Sequence, residues 1–316
     1  MRKIRFYLLL LVLVINCKEN TSQKINKKAF EIVNKITAEK RITYAIHVNS
    51  FTPYELYLDD ILIKYDREDI SSHTTELNPY LLESGKHKLK IRYLPTVKDM
   101  FSKKGLLDPR DIYINKDTRW HIFFVKLNKD PNAVLGYTNE IDYGGSELKI
   151  IPPPSQVPYW EQEWELDIKD LPYKLKGWSE SEDLSKMDKD QLKKEVIAFF
   201  EQQRNLLNEG KVDDYLRLGI KKDEEVIVAT YGEDLEYYTS QERKDNLLRA
   251  KGHMLPLENY EMVLYAGGKL VSLEIPNGKY RRWSALLSKS DKGKISAWGV
   301  KLHKPKGSKD FEIIRK

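Results

Sequence analysis

Hydrophobic residues change their spacing twice along this chain. From Arg41 apolar and polar residues alternate, from Leu192 apolar residues recur every three to four positions, and after Gly252 alternation returns. Successive side chains of a strand point to opposite faces, whereas a helix returns to the same face after about 3.6 residues. The pattern therefore implies a multidomain chain, with an all-β module first and an α+β module after it.

Within the first module, Ile42–Val48 alternates, and Tyr54–Tyr65 reads as two strands about a tight Asp59-Asp60 turn. A Ser84-Gly85 turn precedes a strand with Leu89, Ile91 and Tyr93 on one face. Lys88, Lys90 and Arg92 line its opposite, wet face. Arg119–Leu127 is apolar on both faces, the mark of a central strand. A proline corner, Pro152–Pro154, leads into an alternating strand with Trp164, Leu166 and Ile168. These elements define an N-terminal all-β, sandwich-like domain over residues 41–178. The runs YLDDILI (Tyr57–Ile63) and SGKHKLKIRY (Ser84–Tyr93) resemble the surface-layer module PEGA, with Asp60 where that module carries glycine. The resemblance implies a β-sandwich and no catalysis.

Residues 179–191 are charged and read as a linker. Beyond them Leu192, Val196, Phe199, Phe200, Gln203, Leu206 and Leu207 share one helical face that ends at Gly210. Further helices are expected over Val212–Tyr231, broken at Gly219, and over Gln241–Ala250, opened by a Thr239-to-Glu242 capping box. Tyr260–Ala266 and Lys269–Ile275 then meet across Gly267-Gly268. Lys279–Lys289 follows the hairpin signal Asn277-Gly278, and Lys294–Leu302 follows Gly293. Residues 192–316 thus form a C-terminal α+β roll of helices and an antiparallel meander. Its element order resembles the cone-shaped nuclear-transport-factor-like fold, which implies a cavity at the mouth of the cone. Tyr231, Tyr238, His253, Arg281, Trp283 and Trp298 are the candidate lining. They make either a ligand pocket or a packed roll with snorkelling arginines.

The first twenty residues carry a separate message. Arg2, Lys3 and Arg5 precede an apolar run, Phe6–Ile15, and then Cys17, the only cysteine. A spanning helix needs about 20 apolar residues, so this run reads as a signal-peptide core. The box Val14-Ile15-Asn16-Cys17 resembles a bacterial lipoprotein signal. That resemblance implies removal of residues 1–16 and palmitate-type acylation of Cys17. It also implies an outer-membrane destination in the cell envelope, since Lys18 rather than an aspartate follows the cysteine. Residues 17–40 would be a lipidated tether with an amphipathic patch at Lys27–Ile36. Cleavage removes three of the 54 basic residues, leaving 51 against 48 acidic ones, a net charge of +3. Such a balance supplies no basic stripe for nucleic acid.

No HExxH, nucleophile elbow, phosphate loop or dinucleotide fingerprint occurs. The six histidines (His47, His73, His87, His121, His253, His303) stand at least fourteen residues apart, so only folding could assemble a metal site. No metal, cofactor or catalytic residue is expected. Tyr159, Trp160, Trp164 and Trp178, with Tyr173, form either an aromatic platform for a sugar or peptide or a buried seal between the modules. Asp59, Asp60, Asp66, Glu68 and Asp69 read as turn formers and edge charges. The functional expectation is a non-enzymatic envelope lipoprotein that binds or presents to a protein or glycan partner, an immunity protein being one form. The alternative is a small-ligand-binding protein or enzyme using the C-terminal cavity.

Overall fold

The computed structural model describes residues 28–68, 70–94, 114, 120–128, 139–141, 147–233 and 235–315. The signal segment, Cys17 and Asp69 lie outside these residues. Two four-stranded antiparallel sheets build the N-terminal sandwich. One has the order β4-β1-β6-β7, from β1 (Thr43–Ser50), β4 (Ser71–Glu76), β6 (Trp120–Asn128) and β7 (Asn139–Ile141). The other has the order β3-β2-β5-β8, from β2 (Tyr54–Leu58), β3 (Ile61–Asp66), β5 (Gly85–Tyr93) and β8 (Trp160–Ile168). Tyr44, Ile46, Leu56, Leu89, Ile91 and Tyr93 meet between the sheets, and Tyr93 stacks on Trp120 at 4.0 Å.

The β2–β3 hairpin turns on two left-handed aspartates, Asp59 (φ 47°) and Asp60 (φ 65°). Positive φ at both central residues is the two-residue turn that matches strand twist. Asp59 is fixed there, accepting from the Lys88 backbone N–H at 2.8 Å and pairing with His87 Nδ1 at 2.6 Å. The Asp60 carboxylate lies 3.9 Å from Lys90 Nζ. Asp60→Gly removes the left-handed strain, so a stability gain of about 0.5–1 kcal/mol is expected in chemical denaturation. A loss would show that the Lys90 pair outweighs the backbone.

In the C-terminal module, α1 (Lys189–Glu209) begins at Asp188, whose carboxylate accepts from Gln191 N–H at 2.8 Å. It ends at Gly210 (φ 73°). Leu192, Val196, Phe200 and Leu207 are buried along one face. The chain breaks at Gly219 between α2 (Val212–Leu218) and α3 (Ile220–Ala229). After α4 (Leu235–Thr239), α5 (Gln241–Leu248) is capped by Ser240, whose hydroxyl accepts from Arg243 N–H at 3.2 Å. Thr239 does not cap it: as the last residue of α4, it turns its hydroxyl back to the Leu235 carbonyl at 3.1 Å.

The C-terminal sheet has the order β14-β13-β10-β9, from β9 (Glu261–Tyr265), β10 (Leu270–Glu274), β13 (Lys301–His303) and β14 (Glu312–Arg315). A separate hairpin joins β11 (Leu287–Lys289) to β12 (Ile295–Ala297). Of Lys279–Lys289, expected as strand, Leu287–Lys289 is strand; before it come a 3-10 turn at Gly278–Tyr280, Arg282 in the left-handed region (φ 67°) and a single bridge from Ser284 to Glu274. β14 has no counterpart in the sequence reading.

Alternation within single strands reveals the stacking. On β10, Val271 and Leu273 pack on the helices with Phe200, while Leu270 faces the other way. On β14, Ile313 joins the helices and Ile314 joins Leu270. Leu270, Tyr265 and Ile314 meet Tyr57, Ile61 and Leu62 of the sandwich. Tyr54, Leu56 and Leu58 on the opposite face of β2 fill the sandwich core. Two sandwich sheets, the C-terminal sheet and the helices therefore lie in successive layers, with β2 buried on both faces.

Both connecting stretches are packed into this stack. Ala29, Val33 and Ile36 dock on Ile227, Val228 and Tyr231, and Arg41 bonds the carbonyls of Val33 and Ile36 at 3.2 and 3.1 Å. In the 179–191 stretch, Ser181 meets His303 Nδ1 at 2.7 Å, Glu182 N–H donates to the Lys304 carbonyl at 2.8 Å, and Leu184 enters the helical core. No helix among the described residues is long and apolar enough to cross a membrane.

Candidate functional site

Glu55 of β2 is fully buried and is the charged centre of the seam between the modules. Tyr57 donates its hydroxyl to Glu55 Oε2 at 2.6 Å, and Arg92 reaches the same oxygen at 3.3 Å. Arg281 and Arg282 of the C-terminal module both donate to Oε1, Arg282 at 3.3 Å. Burial by itself pushes the Glu55 carboxyl upward. The Tyr57 hydroxyl and the two guanidinium groups outweigh it and hold the group below the usual carboxylate range. Arg282 also reaches Glu274 Oε2 at 3.4 Å, and Tyr265 donates to Glu274 Oε1 at 2.6 Å. For Glu274 burial wins, and its carboxyl is raised despite Tyr265 and the nearby cations.

A second polar joint stands at the other end of the seam. Arg315 of β14, 1% exposed, donates to the Pro79 carbonyl at 2.6 Å and to Glu225 Oε2 of α3 at 2.9 Å. Its guanidinium lies 4.9 Å from the Trp178 ring, and Glu225 Oε1 accepts from Gly177 N–H at 2.7 Å. Nearby, buried Asn78 donates to the Ala229 carbonyl at 3.3 Å and to the Tyr231 hydroxyl at 3.1 Å, and Tyr231 in turn donates to the Ile42 carbonyl at 2.7 Å.

The six candidate cavity residues are distributed over four places. Tyr231 is in the seam. Arg281 serves Glu55, and Trp283 packs on Tyr280 at 4.9 Å with the Arg67 guanidinium 5.0 Å away. His253 sits 3.8 Å from Asp291 at the surface. Tyr238 lies under Arg243 at 4.8 Å, and Trp298 donates to Ser288 Oγ at 3.1 Å. Of the six, Trp298 lines a cavity of about 240 Å³, whose walls also include Tyr215, Tyr237, Asn246, Lys222 and Arg243. Asp223 offsets both cations, 3.0 Å from Lys222 Nζ and 2.6 Å from Arg243. Burial raises the Tyr215 hydroxyl, which stays a protonated donor. Tyr237, one of its walls, is itself exposed. Aromatic walls with a compensated charge suit one uncharged or aromatic group.

The aromatic set divides in the same way. Trp160 and Trp164 face the sandwich beside Tyr93 and Leu89, and their indole N–H groups donate to the Ile151 and Lys149 carbonyls at 3.1 and 3.0 Å. Trp178 is buried beneath Arg315. Tyr159 remains outside, 57% exposed, with Ile151 at 60%. Trp178, with Tyr173 packed 6.0 Å from Tyr231, seals the modules together.

Sequence reasoning missed Glu55, Glu225, Asn78 and Arg315. The one signal available was a glutamate inside the otherwise apolar YELYL run. Compared with protein-family models, with characterised proteins and with solved structures, the chain matches none.

Proposed function

We propose that this chain is a lipid-anchored, non-enzymatic protein of the bacterial cell envelope that binds a protein partner through its C-terminal module. The observation that carries the reading is the 240 Å³ aromatic cavity at Trp298 and Tyr237. Small-molecule sites usually enclose about 300–1,000 Å³. A smaller aromatic socket with Tyr237 exposed in its wall fits an inserted side chain, the usual form of an interface hot spot. Anchoring at Cys17, taken from the box Val14-Ile15-Asn16-Cys17, would hold the layered body at the outer membrane. The alternative, a small-ligand carrier or enzyme, would use the open cleft of about 480 Å³ lined by Phe199, Gln202, Leu218 and Phe311.

A photo-crosslinking residue at Tyr237 in envelope-localised protein is expected to capture one discrete species. Asn246→Trp, which fills the cavity, should abolish that species. The same residue placed at Asp291, 92% exposed and outside the cavity lining, should not capture it. In the same cells an alkyne palmitate analogue should label the chain, and Cys17→Ser should remove the label. A capture pattern identical at both positions, or unchanged by Asn246→Trp, contradicts partner binding. An unlabelled mature chain contradicts the anchor.

A further inference from the structure

Folding brings a histidine to two carboxylates that the sequence shows only as turn formers. Asp66 ends β3, Glu68 follows it, and His73 lies in β4. One donor atom from each lies within 4.8 Å of the others. We infer that Asp66, Glu68 and His73 bind one divalent cation of borderline softness, with zinc the best match.

Acidic residues near a turn are ordinary, and the inference rests on Asp66. It is 4% exposed, and its Oδ2 has no hydrogen-bonding partner among the described residues. A buried carboxylate oxygen without a well-aligned hydrogen-bond donor is costly, and a cation is one of the few groups that satisfies it. His73 Nε2 stands 3.2 Å from that oxygen. Two donors bound to one zinc at about 2.0–2.1 Å and tetrahedral angles lie roughly 3.3 Å apart, so the spacing already suits adjacent ligands. The Tyr54 and Ser71 hydroxyls are buried nearby and bond each other, and Tyr54 lies directly across from Asp66 in the β2–β3 register. Asp66 Oδ1 accepts from the Glu68 backbone N–H at 2.9 Å, which holds the carboxylate in orientation.

The donor set, one imidazole and two carboxylates without sulfur, suits zinc better than magnesium or calcium, which prefer oxygen alone. Lys64 Nζ is 4.0 Å from Asp66 Oδ2, and its side chain, 32% exposed, can swing into solvent when a cation enters. Glu68 is exposed, and one of its carboxylate oxygens already stands within 4.8 Å of the Asp66 and His73 donors. β3 and β4 belong to different sheets, so the ion would tie the two halves of the sandwich at one end. Three protein donors leave a position for water or for an external ligand.

The test uses the full-length chain purified in detergent, stripped with a chelator and titrated with zinc chloride, magnesium chloride serving as the control. One zinc per chain is expected to survive gel filtration and to raise the Tm, with no response to magnesium. His73→Ala and Glu68→Gln should each weaken zinc binding roughly tenfold or more. His121→Ala, at an exposed pair with Glu147, should change nothing. His73 is 41% exposed, so its loss leaves the core intact; if that variant still fails to fold, Glu68→Gln decides alone. Absence of stoichiometric zinc in the wild type, or wild-type affinity in the folded variants, overturns the inference.

Discussion

Glu55→Ala is expected to destabilise the protein by about 3–5 kcal/mol, the usual cost of removing one member of a buried ion cluster. The Tm would fall by on the order of 10 °C. The carboxylate is fully buried, and Arg281 and Arg282 converge on it from the other module, so its loss leaves two cations facing each other in the seam. Adding Arg281→Ala to Glu55→Ala should cost much less than the two single effects combined, because both remove one interaction. Acid should mimic the substitution. Glu55 has a depressed pKa, so its contribution is complete above the unfolded glutamate value of about 4.3 and is lost as pH falls through the folded value. Glu274 acts in the opposite sense. Its raised pKa makes its contribution greatest while protonated and smaller as pH rises past the unfolded value. Wild type should therefore lose Tm more steeply below about pH 4.5 than Glu55→Gln does.

Arg315→Ala is expected to cost about 3 kcal/mol or more by urea denaturation. The guanidinium bridges the Pro79 carbonyl of the sandwich, Glu225 of α3 and the Trp178 ring. Truncation leaves Glu225, whose side chain is 16% exposed, with Gly177 N–H as its remaining hydrogen bond. It also opens a void beneath an indole that is 7% exposed. Arg315→Lys should recover only part of the loss, since an ammonium cannot serve both oxygens in the planar geometry that Arg315 uses. A stability change below about 1 kcal/mol for Arg315→Ala would remove this joint from the account.

Local pattern disclosed most of the elements. The period-2 stretches became β1 to β3, β5 and β8, and the run Arg119–Leu127, apolar on both faces, became β6. The 3.6-period face of α1 buries Leu192, Val196, Phe200 and Leu207 as its spacing demands. The Asp59-Asp60 turn and the Gly210 and Gly219 breaks were readable because each depends on a few adjacent residues. What escaped depends on distance along the chain. Glu55 and Arg281 are 226 residues apart, and Pro79 and Arg315 are 236 apart. On β2 and β5 an alternating charge looks like a wet face, yet the C-terminal sheet covers Glu55 and crowds Arg92, while Lys88 stays 61% exposed. Turns replace the first part of the expected strand Lys279–Lys289, where Arg281 and Arg282 reach across to Glu55. The candidate pocket fared similarly. Trp298 reached a cavity, whereas Tyr231, Arg281 and Trp283 were taken by the seam or its border, which no single-module pattern could reveal. His73 joined Asp66 and Glu68 through a strand crossing between sheets.

Central to this account is that sandwich and roll unfold as one body, joined at Glu55 and at Arg315. Differential scanning calorimetry of the full-length protein in detergent tests it most directly. A single transition is predicted for the wild type, with calorimetric and van't Hoff enthalpies in agreement, resolving into two transitions when Glu55→Ala and Arg315→Ala are combined. Two separate transitions in the wild type, with the double variant shifting neither, would contradict it.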